Sequence, residues 1–557
     1  MPCPSRLLAG LALAGMLLAL PGCGGERAEA PLAASPQAVE RLVAADAAGR
    51  ERLAAQLAKA TPDAATVEAA AAHLAHHDAA LQRHALDLLA AWRADGRRVG
   101  RPVLELLAEG EPGLRRAAAL ALPRLEPLPE GTLAALRSAL QDRVTDVRAA
   151  AVDALGALAA RDSGALPALV EALADPDSEV VSNARGQLCL QGVTCVPTLV
   201  DALKGTRPRL AQCAALTLAQ LGPLAGDARL PLEDVLAGGS GPLRAAAAVA
   251  LGRLGAHALP SLPRLLEALA DPESEVARRA TEALGRIASQ APDAFAPLYA
   301  ALVDGRPAVR AGAARALQGQ QVDPEAALPR LQPALSDPSP EVRREALGVI
   351  VSWPTGGHLA HAEVLRLLAD ASAGVRGEAL LALGRMAPRV EGVAEAVGPL
   401  LGDPDPEVRL TAAQVLEHLG PRAERARAHL ERALDDRDRN VRYYGVLVLS
   451  RLEAPRRDLG PRFASLLADE HDSIRRQAAV ALGLLGPAAG FAVPGLLAAL
   501  EDRDEDVREE AARALGLLGS EAGAPALGAR ERLAGDARQP VAVRRAARKA
   551  WDRLRGA

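Results

Sequence analysis

An interval of about 33 residues recurs along this chain and constrains its fold more than any other feature. Taking the apolar residue of each Val-Arg-like pair as an anchor gives Leu81, Leu114, Val147, Val180, Leu210, Leu243, Val276, Val309, Val342, Val375, Val408, Val441, Ile474, Val507 and Val543. Successive anchors keep this step, except that the one from Val180 to Leu210 is shorter and the one from Val507 to Val543 longer. A degenerate repeat precedes Leu81, starting near Val39. A fixed period of this length means one supersecondary element copied in series, each copy burying its apolar stripe against its neighbours. A chain of 557 residues would otherwise be expected to divide into roughly three or four compact domains.

Each repeat reads as two helices. In the repeat that begins at Asp469, Ile474, Ala478, Leu482 and Leu485 follow a 3.6-residue period. Gly486-Pro487 ends that helix, and Pro494 stands where a second begins, a place where the missing N–H costs nothing. Pro167, Pro263, Pro329 and Pro461 are expected in the same place elsewhere. Composition agrees. Half the residues are hydrophobic but only 2% are aromatic, so the core is built from Ala, Leu and Val in thin layers.

Polar residues keep the same register. Asp stands five positions before the anchor in ten repeats: Asp142, Asp175, Asp271, Asp304, Asp337, Asp370, Asp403, Asp436, Asp469 and Asp502. Arg follows the anchor in eleven: Arg115, Arg148, Arg244, Arg310, Arg343, Arg376, Arg409, Arg442, Arg475, Arg508 and Arg544. The Asp is placed to receive backbone N–H groups at the helix start. The Arg can reach the Asp of its own or the adjacent repeat through a forked hydrogen bond.

The Asp-x5-Arg spacing, the Ala-Leu-Gly-x-Leu-Gly turn and the two-helix repeat resemble HEAT repeats, in the short variant named after phycobilisome lyases. The resemblance covers about 90% of the chain. It implies an all-α fold, a right-handed α-α superhelix of the HEAT/ARM solenoid type with about 15 helical-hairpin repeats. The second helices would line its inner face. It also implies protein binding, since HEAT proteins chiefly bind other proteins, although fold alone is a weak guide to function.

The N-terminus reads as an address. One positive charge, Arg6, precedes an apolar run from Leu7 to Leu20, too short for a comfortable membrane span but suited to a signal peptide. Leu20-Pro21-Gly22-Cys23 resembles the bacterial lipobox, in which the cysteine becomes lipidated; Pro21 departs from the usual small residue. The expected organisation is a lipoprotein signal peptide over 1–22, a lipidated cysteine and flexible tether over 23–38, and the solenoid over 39–557. Gly24 rather than Asp after Cys23 resembles the sorting signal for the outer membrane, which implies a lipid-anchored protein of the bacterial cell envelope facing the periplasm.

The irregular repeats are where chemistry could lie. The repeat at Val180 lacks the Arg, carries Gln191 at a usual Leu position and holds Cys189 and Cys195, with Cys213 in the next. In an exported protein a Cys189–Cys195 disulfide is one reading and reduced packing cysteines the other. His73, His76, His77, Asp78 and His84 could supply metal ligands, but a solvated turn accounts for them as well, and no metal is assigned. His358 and His361 read the same way. Trp92 and Trp353 stand at one and the same position relative to the anchors Leu81 and Val342. Other repeats have Leu there, so both are expected to fill the core. Arg530, Arg532, Arg538, Arg544, Arg545, Arg548, Lys549, Arg553 and Arg555 make the last segment basic, as a polar capping repeat or a contact for anionic partners.

No catalytic residue and no cofactor is expected. HEAT-type di-iron hydroxylases are marked by His-Glu pairs, and none of the ten histidines is followed by Glu. Bilin lyases, the other enzymatic relatives, work in the cytoplasm, which conflicts with the leader. A net charge of −4 opposes nucleic-acid binding. The reading is a membrane-tethered interaction scaffold whose partner is a protein or peptide.

Overall fold

The computed structural model describes residues 33–387, 389–452, 457–522, 528, 534–536 and 539–555. The signal peptide, Cys23 and most of the tether, and Arg530, Arg532 and Arg538, lie outside them. Every regular element among the described residues is helical. The chain is an α-solenoid of helical hairpins and forms two compact units, Met1–Cys195 and Val196–Ala557. The boundary falls in the shortened repeat.

In the N-terminal unit the helix Pro36–Ala44 opens the described fold. Ser35 accepts from the Ala38 N–H and Pro36 takes the first helical position. Residues 36–38, expected in the tether, are therefore helical. Further on, the first helices of successive repeats, Ala79–Ala91, Pro112–Ala121, Thr145–Ala159 and Ser178–Gln191, stack side by side.

The C-terminal unit repeats the plan from Pro208–Leu221 to Val541–Arg555. The anchors from Leu81 to Val543 are buried except Leu243, which is partly exposed. Pro167, Pro263, Pro461 and Pro494 occupy the second position of their second helices. Pro329 differs: it sits inside Pro324–Leu335, because Asp323 caps that helix and Pro324 starts it.

The two glycines of Ala-Leu-Gly-x-Leu-Gly do different work. A Cβ on Gly252 would lie 2.6 Å from the Cα of Ala283, so this glycine lets adjacent first helices touch through their backbones. Gly486 ends its helix at φ +60°, a left-handed conformation that costs an L residue a steric clash and glycine none.

Candidate functional site

The periodic polar residues assemble into a ladder, and its geometry settles which Asp each Arg meets. Nε and Nη2 of one Arg grip both carboxylate oxygens of the Asp 27 residues later, in the next repeat. Such rungs join Arg115–Asp142, Arg148–Asp175, Arg244–Asp271, Arg310–Asp337, Arg343–Asp370, Arg376–Asp403, Arg409–Asp436, Arg442–Asp469 and Arg475–Asp502. Their donor–acceptor distances run from 2.5 to 3.1 Å. The remaining Nη1 donates back into the Arg's own repeat, for example to the Asp370 carbonyl from Arg376 at 2.9 Å. One guanidinium therefore ties two repeats together. Its planar fork suits this task, which a Lys point charge could not perform.

The ladder stops where a partner is missing. Ala277 stands where the Arg before Asp304 would be, and the Asp304 carboxylate instead holds Arg306 at 3.0 Å. Arg508 meets Gln539 Oε1 at 3.0 Å, because position 538 is an Arg. Six consecutive rungs run from Arg310 to Asp502.

The ladder Asp does not cap the helix. It accepts the N–H two residues on, within the turn, at 2.8–2.9 Å. Capping falls to that next residue where it is an Asp: Asp177, Asp405, Asp438 and Asp504 accept from their helix N-termini. The ladder position lies two residues ahead of the N-cap, too early to face the first turn.

Burial pushes the carboxyls of Asp271, Asp337, Asp370, Asp403, Asp469 and Asp502 upward. The guanidinium and turn N–H hydrogen bonds overcome it, so each titrates below the ordinary carboxylate range. Asp142 is lowered chiefly by Arg115.

A second interlock was not expected from the sequence. Asp153 accepts from Asn183 at 3.0 Å and Gln187 at 2.8 Å. Glu345, buried, takes Arg315 at 2.8 Å and Arg344 at 3.0 Å. Asp153–Asn183 and Arg315–Glu345 are each 30 residues apart, the spacing that faces one first helix with the next. That register is visible in the sequence once the period is known.

The irregular positions resolve into ordinary chemistry. Cys189, Cys195 and Cys213 are free thiols. Cys195 is buried, donates to the carbonyls of Gly192 at 3.1 Å and Leu188 at 3.3 Å, and burial pushes its pKa up to about 11. Gln191 reaches the Gly156 carbonyl at 3.1 Å. In the His cluster, Asp78 binds Arg50 at 2.7 Å and caps a helix, while His76 and His77 stack at 4.2 Å. Among the described residues no three His, Cys, Asp or Glu side chains converge as a metal site. Trp92 is half-buried and donates to the Leu57 carbonyl at 3.0 Å; Trp353 is buried, with its indole N–H unpaired. The described basic residues Arg544, Arg545, Arg548 and Lys549 lie on the helix Val541–Arg555.

A family model described as HEAT repeats matches residues 100–189, 230–318, 262–351, 362–450 and 460–550. Solved structures with a similar course include Kap95p bound to RanGDP, at 14% identity over 93% of this chain and 80% of that one, with a TM-score of 0.45. Importin beta in an ammonium sulfate condition gives 15% identity, 93% and 84% coverage and a TM-score of 0.41. Kap121p bound to Ste12p gives 12%, 93%, 69% and 0.42. No curated protein matches the chain.

Proposed function

We propose that this chain, which belongs to the HEAT-repeat family, is a protein-interaction scaffold held at a bacterial membrane through lipid on Cys23. The observation that carries the binding role is the run of six rungs from Arg310 to Asp502. It fixes each repeat to the next and so presents the remaining helix faces at constant spacing. A preorganised surface of this kind loses little freedom on binding. Its affinity would reside in a few anchor residues on those faces. The reading assigns the chain no catalytic role.

The tether rests on the lipobox-like Leu20-Pro21-Gly22-Cys23 and on chemistry. Each buried CH₂ of an acyl chain contributes about 0.8 kcal/mol, so several chains on one cysteine hold a protein stably. Gly24 favours the periplasmic face of the outer membrane. Cys23→Ser is expected to release the protein from the membrane fraction; retention there would refute the anchor. The binding role is tested by crosslinking in the native host, followed by mass spectrometry. A reproducible partner, lost when residues 39–557 are deleted but 1–38 kept, is expected. A clean negative across several growth conditions would count against the scaffold.

A further inference from the structure

One edge of the C-terminal unit is built differently from the rest. After the first helix, several repeats fill this edge with a seven-residue 3-10 turn: Gly222–Ala228, Gly255–Ser261, Gly420–Ala426 and Gly486–Ala492. The repeats anchored at Val276, Val309, Val342 and Val375 lack it, and the last two are followed by open clefts. Behind Pro340–Ser352 the chain runs through Trp353-Pro354-Thr355-Gly356 into a 3-10 turn of only four residues, Gly357–Ala360. Behind Ala373–Met386, no 3-10 turn among the described residues precedes Val393–Val397.

Two clefts lie behind Pro340–Ser352 and Ala373–Met386. One, of about 260 Å³, is lined by Trp353, His358, Met386, Arg385 and Arg389. The other, of about 430 Å³, is lined by Arg389, Arg422 and Arg425, with the carboxylates Glu391 and Glu395 among them. Arg389 lines both, so they form one strip.

Four arginines face two carboxylates on the strip, so it carries an excess of positive charge. All four arginines are exposed. Nη1 of Arg385 donates to the Val351 carbonyl at 2.6 Å, and Nη1 of Arg422 to the Ala387 carbonyl at 2.8 Å. Neither bond neutralises a charge, and a guanidinium has five donors. Arg425 pairs with Glu395 at 2.6 Å. Arg389 has no ion pair among the described residues. The ladder arginines differ in kind: each is matched to a carboxylate at close range. Trp353 and Met386 give the smaller cleft an apolar wall.

We propose that this strip binds an acidic peptide segment of a protein partner. Carboxylates of the segment sit on Arg389 and on the outward donors of Arg385 and Arg422. An apolar side chain enters the smaller cleft against Trp353 and Met386. The proposal rests on the scaffold reading and names the chemistry of the partner.

Full-length protein in a zwitterionic detergent, titrated against a fluorescein-labelled peptide of glutamates around a single leucine, tests it by fluorescence anisotropy. Saturable binding is expected, weakening as salt rises and screens the charges, and absent for the same peptide with lysines. Arg389→Glu breaks no ion pair of the described residues, so it is expected to keep its circular dichroism and to bind about tenfold more weakly. Arg253→Glu, on the same edge of another repeat, is expected to bind like the parent. No saturable binding, or equal affinity for Arg389→Glu, overturns the proposal. So does binding to phosphatidylglycerol vesicles without binding to the peptide, which would make the strip a lipid contact. A crosslinked partner that binds Arg389→Glu as well as the parent leaves the scaffold standing and removes this site.

Discussion

Removing one arginine from the middle of the ladder isolates what a rung contributes. Arg376→Leu is the informative change. The Arg376 side chain is 12% exposed and the Asp403 side chain 5%, so the pair is largely withdrawn from water. Without the guanidinium, Asp403 keeps only the Asp405 N–H at 2.9 Å. It becomes a nearly buried carboxylate with one hydrogen bond. Breaking a fully buried pair in this way costs about 3–5 kcal/mol; because this rung lies at the rim of the repeat, about 2–3 kcal/mol is expected. Asp403→Leu leaves a guanidinium that can still donate to the Asp370 carbonyl, so its loss should be smaller. The double variant removes both charges and should cost much less than the two single losses added, with a coupling of about 1–2 kcal/mol. Because repeat arrays unfold piecewise, a single midpoint is a poor readout. Hydrogen exchange of peptides spanning 370–405 is the assay. Protection should fall there and remain unchanged in peptides several repeats away. Additive single effects would refute a coupled rung. So would a loss for Arg376→Leu no larger than the scatter between independent sites, about 0.5 kcal/mol.

The remaining predictions concern packing, pH and thiols. Gly252→Val places a side chain where a bare Cβ already lies 2.6 Å from the Ala283 backbone. Overpacking of this kind costs about 1–3 kcal/mol, read as lost hydrogen-exchange protection in peptides spanning 241–290; unchanged protection there would refute the close approach. The ladder carboxyls Asp271, Asp337, Asp370, Asp403, Asp469 and Asp502 titrate below their unfolded value. Their stabilisation is therefore present above about pH 4 and is lost as pH falls through the folded values. Helicity followed against temperature should change little between pH 7 and 5 and fall steeply below 4; full stability at pH 2 would contradict it. Cys195, with its thiol buried and its pKa near 11, should resist alkylation in the native protein and react once unfolded. Intact mass after alkylation without reductant reads this directly. Failure to react in denaturant would instead reveal a Cys189–Cys195 bridge.

Much of the molecule can be read from its residues. The regular period, the Leu and Ala stripes, and the Gly and Pro punctuation define two helices per repeat, because each of those signals is local. A helix period needs only its own residues, and a terminating glycine needs only its own φ. Residues 36–38 and Pro329 depart from expectation for equally local reasons: Ser35 and Asp323 are caps that start their helices ahead of the expected points. Cys23 and the leader are also sequence features, and lie outside the described residues.

What pairs with what was decided in three dimensions. The sequence places Asp and Arg in a fixed register and leaves open whether they meet each other or a neighbour. Stacking brings the Arg of one repeat to the Asp of the next and turns the carboxylate away from its own Arg, so the fork closes across repeats. The same stacking sets successive first helices face to face, which makes Asp153 and Glu345 interlocks and not surface charges. It also shapes the edge at Trp353 and Arg389, where clefts lie between repeats that no single repeat could reveal. Local order is encoded residue by residue, whereas a contact between repeats depends on the rotation from one hairpin to the next, which only the packed helices set.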